Sequence, residues 1–196
     1  MVMEKDYFDI HGNKREIMQL SMPREDARNA LMRGLKYFVG DNAQWIAEYN
    51  LIADWLSDNH RRGLLLHGSN GVGKSLITTK VFPVIFKYYM RLQSGVDLYY
   101  CVKATNVAEL FDKDMSMRLS PILIIDDVGA ESITSHYGTK RDFISELIDD
   151  CEDKKRLLII TTNLTPSEIG ERYGIRTLDR LHAITHSFTI EHATFR

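Results

Sequence analysis

The sequence predicts an α/β fold in which a parallel β-sheet lies between two layers of helices, a three-layer sandwich. Short aliphatic runs predict the strands, because strands that are buried on both faces of a sheet appear as continuous apolar segments. Between these runs lie segments whose apolar residues recur at helical spacing. Such alternation is typical of parallel sheets that are covered by helices on both faces. A chain of 196 residues fits one domain of this kind.

The first part of the chain, residues 1–60, predicts an N-terminal extension made of an arm and two helices. Residues 1–22 mix charged and aromatic side chains without a period, and Pro23 suits the start of a helix. From Arg24 to Trp55 apolar residues recur at helical spacing, with a break at residues 40–42. We expect the second helix to end before Asn59, and we expect this extension to be a candidate surface for a partner protein.

The remaining part, residues 61–196, predicts the core of the domain. Its strands are predicted at residues 64–67, 98–102, 121–125, 157–161 and 186–190. Its helices are predicted at residues 74–92, 106–111, 139–151, 166–173 and 176–183. Pro83 should kink the first of these helices, because proline lacks the N–H group that the helix uses. The chain stops at Arg196, shortly after the last strand, so we expect no C-terminal lid domain.

Composition excludes several classes of protein. The formal net charge of −2 and the isoelectric point near 6.4 argue against coating of nucleic acid by bulk charge. The basic groups Arg61–Arg62 and 154–156 are candidate phosphate contacts, although such groups are more often solvated faces. No segment approaches the roughly 20 apolar residues of a membrane helix, and the N-terminus lacks a signal peptide, so we expect a cytoplasmic protein.

The strongest motif is a glycine-rich segment between the first predicted strand and the helix that follows it. It matches G-x-x-x-x-G-K-[ST], the P-loop pattern, in full and in the required context. Its glycines let phosphate oxygens approach backbone N–H groups, its lysine supplies a charge to the β- and γ-phosphates, and its serine hydroxyl is a ligand for Mg²⁺. The predicted nucleotide-binding residues are Gly68, Ser69, Asn70, Gly71, Val72, Gly73, Lys74 and Ser75.

Polar side chains at the ends of two later strands complete the predicted site. Asp126 and Asp127 follow the run Ile122–Ile125, and Asn163 follows the run at 157–161. Two carboxylates at the end of a buried strand are costly unless a metal or its water shell engages them. We therefore expect Asp126 to bind the Mg²⁺ shell, Asp127 to polarise the attacking water, and Asn163 to position that water.

Taken together, these motifs resemble the AAA+ ATPases of the DnaC/IstB type, which are bacterial helicase loaders and transposition helpers. The resemblance extends from Trp45 to the C-terminus and includes three further segments, Asp126–Glu131, Thr162–Leu164 and Tyr173–Leu181. It implies a P-loop NTPase fold of the AAA+/ASCE type, with ATP and Mg²⁺ as ligands. The segment between Val102 and Ile122 is shorter than the helical insertion with which the loaders contact single-stranded DNA.

The resemblance also implies roles for individual residues. Asn163 falls at the sensor 1 position, and Arg180 falls at the arginine finger, which completes the ATP site of a neighbouring subunit. Arg176 is the alternative for that arginine, and a solvated helix face is the structural alternative for both. Arg196 falls at the sensor 2 position and would contact the nucleotide. An ATP-dependent homo-oligomer follows, with a replicative helicase or a transposase as partner and single-stranded DNA as a further candidate ligand.

Four functions are compatible with these residues. The first is a loader or accessory of a replicative helicase that is switched by ATP, and the second is a transposition helper. The third is a small-molecule kinase, which is disfavoured because the sequence leaves no room for a helical lid after Arg196. The fourth is a nucleotide-binding subunit without hydrolysis, which is disfavoured by the presence of Asp127, Asn163 and Arg180.

Overall fold

The computed structural model describes residues 16–89, 99–131, 135–136 and 139–191. Its strands are β1 (Gly63–His67), β2 (Tyr99–Lys103), β3 (Ile122–Val128), β4 (Ser135–His136), β5 (Thr139–Lys140), β6 (Leu157–Thr162) and β7 (Thr185–Thr189). Five of them form one parallel sheet in the order β2-β3-β6-β1-β7, while β4 and β5 form a separate antiparallel pair. The carboxyl ends of β1, β3 and β6 therefore meet at one edge of the sheet.

Helices cover both faces of the sheet. They are α1 (Arg24–Val39), α2 (Glu48–Ser57), α3 (Lys74–Leu76), α4 (Phe82–Tyr89), α5 (Ala104–Leu110), α6 (Met115–Leu119), α7 (Phe143–Asp153), α8 (Pro166–Tyr173) and α9 (Ile175–Ile184). Alternate strand residues serve opposite faces: Ile124 packs in the cluster that contains α1, α2 and α4, whereas Ile125 packs with α5, α7 and α9. The predicted α/β three-layer fold is confirmed.

The N-terminal helices share their hydrophobic core with the P-loop side of the sheet. Leu31 of α1 and Ile52 of α2 are fully buried in the same cluster as Leu64 and Phe82. The ring of Trp55 stacks on that of Phe82 at 5.6 Å. The division of the chain at residue 60 stays a prediction, and residues 1–15 of the predicted arm lie outside the described residues.

The helical segment that follows the glycine-rich loop is irregular before Pro83. Between α3 and α4 the backbone forms a π-helix over Ile77–Val81. A proline cannot donate the helical hydrogen bond and its ring crowds the carbonyl of the preceding turn, so a local change of helical winding accommodates it. The segment stays helical through Pro83 rather than ending there.

Other differences from the predicted elements are local. The short helix α6 and the β4–β5 pair are additions, and the helix predicted from residue 139 begins at Phe143. It begins there because Thr139 and Lys140 pair with His136 and Ser135, and the Asp142 side chain then accepts a hydrogen bond from the Ser145 N–H as the helix cap. No helix in the described ranges is both long and apolar enough to span a membrane.

Candidate nucleotide-binding site

The glycine-rich loop joins β1 to α3 and has a backbone that depends on glycine. Gly68, Gly71 and Gly73 all have positive φ angles, of 146°, 84° and 89°. At Gly68 a Cβ atom would also lie 2.1 Å from the carbonyl oxygen of Ile190, which is too close for any side chain. The loop therefore turns back over the end of β1 in a conformation that ordinary residues rarely adopt.

Lys74 is buried at the base of this loop. Its Nζ donates hydrogen bonds to the carbonyl oxygens of Gly68 (2.7 Å) and Ser69 (2.9 Å) and to Oδ1 of Asn163 (2.8 Å). Burial lowers the pKa of the Lys74 ammonium, and the nearby carboxylates of Asp127 and Asp126 oppose that shift. The ammonium thus has its hydrogen-bonding capacity filled by oxygen atoms of the protein, and an anionic ligand would compete with these carbonyl groups.

The two aspartates lie where β3 departs from regular pairing with β6. The register shifts between Ile125 and Val128, and Asp127 has a φ of 61°, in the left-handed region. Thr161 of β6 spans this irregular stretch, because its Oγ1 donates to Asp126 Oδ1 (2.7 Å) and accepts from the Asp127 N–H (2.8 Å). Asp126 is 5% exposed and lies behind Asp127, whose side chain faces the cleft.

Asn163 connects the lysine to the second aspartate. Its Oδ1 accepts from Lys74, and its Nδ2 donates to Asp127 Oδ1 at 3.2 Å. These groups line a cleft of about 300 Å³. The full lining is Asn70, Gly71, Gly73, Lys74, Ser75, Leu76, Asp127 and Asn163, so the structure brings together the predicted loop, carboxylate and amide in one place.

The predicted Mg²⁺ ligands have suitable oxygen donors. Ser75 is exposed and lines the cleft, and its hydroxyl is a hard ligand of the kind that Mg²⁺ prefers. The Asp126 carboxylate accepts from Thr161 through Oδ1. A carboxylate and a hydroxyl beside the glycine-rich loop are the oxygen donors that fit a metal ion or its water shell.

Arg180 lies outside this cleft, on α9. Its guanidinium forms ion pairs with Asp149 and, through Nε at 2.9 Å, with Glu152, both on α7 of the same chain. Arg176 is exposed one turn earlier on the same helix. The structure therefore gives neither arginine a place in the cleft of its own chain, and Arg196 lies outside the described residues.

A second group of residues behind the cleft was not predicted from the sequence. Glu131 accepts hydrogen bonds from the Gly129 N–H (2.9 Å), from the Tyr173 hydroxyl and from Arg172, whose Nη2 lies 3.0 Å from Glu131 Oε1. Burial is the main cause that raises the pKa of the Tyr173 hydroxyl. This cluster attaches the turn after Asp127 to α8. Nothing in the local sequence around Glu131 indicates partners more than forty positions away.

The basic groups considered as phosphate contacts are occupied in the fold. Arg61 pairs with Glu16 at 2.7 Å, and Arg62 donates to the carbonyl oxygens of His182 and Thr185. Arg156 is 4% exposed and donates to the carbonyl oxygens of Ser120 and Met117 while pairing with Asp150. Arg62 therefore connects the start of β1 to α9 and β7, and Arg156 connects the start of β6 to α6 and α7.

Comparison with known proteins agrees with this geometry. The sequence pattern of the ATPase family associated with various cellular activities (AAA) matches residues 64–184, more than half of the chain. The chain belongs to the AAA family. The matched range of this AAA protein runs from β1 to the end of α9 and includes the glycine-rich loop, both aspartates, Asn163 and Arg180.

Solved structures of replication proteins have a similar fold. The DnaC helicase loader superposes with a TM-score of 0.51 at 21% identity, covering 86% of this chain and 93% of that one. DnaI gives a TM-score of 0.51 at 16% identity over 89% and 94% of the two chains. Domain III of the replication initiation protein DnaA from Thermotoga maritima gives 0.55 at 16% identity over 85% and 67%. At these identities the likeness is one of fold. Among curated protein sequences no significant match is found.

Proposed function

We propose that this AAA protein binds ATP together with Mg²⁺ and hydrolyses the nucleotide. The observation that carries this proposal is the hydrogen-bonded chain from Lys74 through Asn163 to Asp127. It supports the proposal because a cation that can bind phosphate, an amide that can orient water and a carboxylate that can accept a proton lie in one cleft. Hydrolysis of a phosphoanhydride needs these groups held in fixed positions, because most of its catalysis is positioning and electrostatic stabilisation.

Each residue has a defined part in this reaction. Phosphate oxygens replace the carbonyl groups of Gly68 and Ser69 as acceptors for Lys74, which then neutralises negative charge that grows during transfer. Ser75, and Asp126 through the metal's water shell, would hold Mg²⁺, which would supply further positive charge to the phosphates. Asp127 accepts a proton from the attacking water, and Asn163 orients that water by hydrogen bonding.

Two substitutions separate binding from turnover. Lys74→Ala removes the cation, so we expect nucleotide affinity to fall at least about tenfold, since hydrogen bonds between charged groups contribute roughly 1.5–3 kcal/mol each. Asp127→Asn keeps the shape of the side chain but removes the base, so we expect unchanged affinity and a kcat lower by roughly 10²–10⁴-fold. Calorimetric titration with ATP and a phosphate-release assay measure the two quantities. Normal turnover by Asp127→Asn would contradict the assignment of the base.

We also propose that the ATP cycle serves a replicative helicase, as its loader or accessory, within an ATP-dependent oligomer in the cytoplasm. The fold supports this proposal because it resembles that of the DnaC helicase loader and of domain III of DnaA over most of the chain. Mg²⁺-ATP would favour the assembled state, and a loader would bind the helicase in that state and release it after hydrolysis.

A binding assay tests this partner directly. Purified protein is mixed with the replicative helicase of its host or phage in the presence of ATP, ADP or no nucleotide, and complexes are separated by size-exclusion chromatography with mass measurement. We expect a complex that depends on ATP and that persists in Asp127→Asn, which binds without turnover. Lys74→Ala is the matched control and should form no complex. Absence of an ATP-dependent complex with wild-type protein would overturn the loader assignment while leaving the ATPase assignment intact.

A further inference from the structure

The hydroxyl group of Thr161 forms hydrogen bonds with both aspartates of the described site. It donates to the carboxylate of Asp126 and accepts from the backbone N–H of Asp127. We propose that Thr161 is a positioning residue, which fixes the metal-binding carboxylate and the turn of the hydrolytic carboxylate relative to each other. This inference rests on the proposed function, since it assigns a role within the same Mg²⁺-dependent site.

The directions of the two hydrogen bonds follow from chemistry. A backbone N–H can only donate, so Thr161 Oγ1 must be the acceptor for Asp127. The single proton of the hydroxyl is then available for Asp126 Oδ1, which lies 2.7 Å away. Thr161 is 1% exposed, and its bond to Asp126 is buried while the bond from Asp127 is partly buried. The hydroxyl therefore has its donor and one acceptor site fully assigned.

Sheet geometry explains why a side chain is needed at this point. β3 and β6 pair regularly from Ile122 to Ile125, and pairing resumes only at Val128 with Thr162. Between these positions Asp126 and Asp127 of β3 lie opposite Thr161 of β6, so β3 carries one extra residue, as in a β-bulge. The hydroxyl of Thr161 takes the place of a backbone acceptor on β6 for the Asp127 N–H. The side chain thereby supports the site at the point where strand pairing is interrupted.

The effect of removing the hydroxyl is specific. Thr161→Val has the same shape but leaves both the Asp127 N–H and Asp126 Oδ1 without this partner. Asp127 already has a left-handed backbone, a conformation that other contacts must maintain in a non-glycine residue. We therefore expect both carboxylates to lose their fixed separation, whereas the glycine-rich loop and Lys74, which do not touch Thr161, keep their geometry.

The experiment compares wild type, Thr161→Val and Thr161→Ser. For Thr161→Val we expect a kcat lower by on the order of tenfold or more, because both carboxylates lose the hydrogen bond that positions them. We also expect a higher Mg²⁺ concentration for half-maximal rate and weaker Mn²⁺ binding, measured by electron paramagnetic resonance with a non-hydrolysable ATP analogue. Nucleotide affinity in EDTA should be unchanged. Thr161→Ser keeps the hydroxyl and should restore both metal affinity and rate to near wild type.

Thr185→Val is the matched control. Thr185, the first residue of β7, is also 1% exposed, and its Oγ1 donates to the carbonyl of Leu181 in α9. Thr185 is not among the residues that line the cleft. If the loss comes only from replacing a buried threonine by valine, Thr161→Val and Thr185→Val should lose similar amounts of unfolding free energy and of ATPase activity. Wild-type Mg²⁺ dependence and Mn²⁺ affinity in Thr161→Val, or equal losses in Thr161→Val and Thr185→Val, would overturn the proposal. If wild type binds Mn²⁺-nucleotide without turning it over, the ATPase assignment fails, and the Mn²⁺ comparison still tests Thr161.

Discussion

At the scale of single residues, the backbone of Asp127 restricts what can occupy its position. Its φ of 61° lies in the left-handed region, which aspartate and asparagine tolerate better than other residues that have a Cβ. The Asp127→Asn change is therefore compatible with the turn as well as with the shape of the side chain. A loss of turnover in that variant reports on the missing carboxylate and not on a distorted strand.

Alanine at the same position should behave differently in stability. We expect Asp127→Ala to be less stable than Asp127→Asn by about 1 kcal/mol, because the left-handed backbone conformation is less favourable for alanine than for asparagine. Both variants lack the carboxylate, so the difference combines the conformational term with the hydrogen bond from Asn163, which asparagine can still accept and alanine cannot. Urea unfolding followed by circular dichroism measures it. Equal stabilities of the two variants would show that the turn relaxes when the side chain is lost.

At the scale of elements, α8 begins with a reciprocal cap. Thr165 Oγ1 accepts from the Glu168 N–H, and the Glu168 carboxylate accepts from the Thr165 N–H at 2.7 Å. The backbone hydrogen bond from Thr165 is the main cause that lowers the pKa of Glu168. The cap also fixes the start of the helix whose end contacts Glu131 through Arg172 and Tyr173.

This cap predicts a specific dependence of stability on pH. Because the pKa of Glu168 is lower in the folded protein, its contribution is present above the unfolded value of 4.5 and is lost as the pH falls through the folded pKa. The melting temperature of wild type should exceed that of Glu168→Ala by its full amount at pH 7. This difference should shrink as the pH falls below 4.5. Thermal unfolding of both proteins from pH 7 to pH 3 measures it. A constant difference across the range would contradict the role of the ionised carboxylate.

The elements themselves were largely predictable, whereas their irregular parts were not. Aliphatic runs predicted the three central strands β1, β3 and β6, because burial on both faces leaves a direct mark on composition. The glycine-rich loop was predictable for a similar reason, since phosphate binding restricts residue type at fixed spacing. The bulge at Asp126–Asp127 and the role of Thr161 depend on which strands become neighbours. The Glu131 contacts likewise depend on α8 packing near the end of β3, and local sequence contains no such information.

At the scale of the whole molecule, Arg180 raises the question of assembly. In the single chain its guanidinium is engaged by Asp149 and Glu152, and its side chain is 21% exposed. An arginine that completes a neighbour's site needs to be presented at a surface, and in the single chain Arg180 is only partly exposed while it pairs with α7. Association would then have to exchange or extend these contacts, which makes assembly sensitive to the acidic residues of α7.

A complementation experiment tests whether Arg180 acts between subunits. We expect Lys74→Ala to bind nucleotide weakly while retaining Arg180, and Arg180→Ala to have the opposite defect. We expect each variant alone to have little ATPase activity and a mixture of the two to regain part of it, because mixed assemblies contain sites with both groups. Phosphate release across mixing ratios provides the measurement.

Arg176→Ala is the comparison for this experiment, since Arg176 lies on the same helix and is exposed. If Arg176→Ala loses activity and is complemented while Arg180→Ala stays active, the intersubunit arginine is Arg176. A protein that remains monomeric with ATP and with ADP, by mass measurement, would leave both arginines without a target.

The contact of Glu131 with α8 has a consequence for the order in which neighbouring subunits would hydrolyse ATP. Glu131 holds the turn behind Asp127, and it is anchored by Arg172 and Tyr173 at the last turn of α8. Gly174 alone separates that turn from α9, the helix that carries Arg180. Under the proposal that Arg180 acts between subunits, one short linkage would join the turn behind Asp127 to the arginine that completes the neighbouring site. We then expect ATP hydrolysis in the subunits of an assembly to be sequential rather than independent.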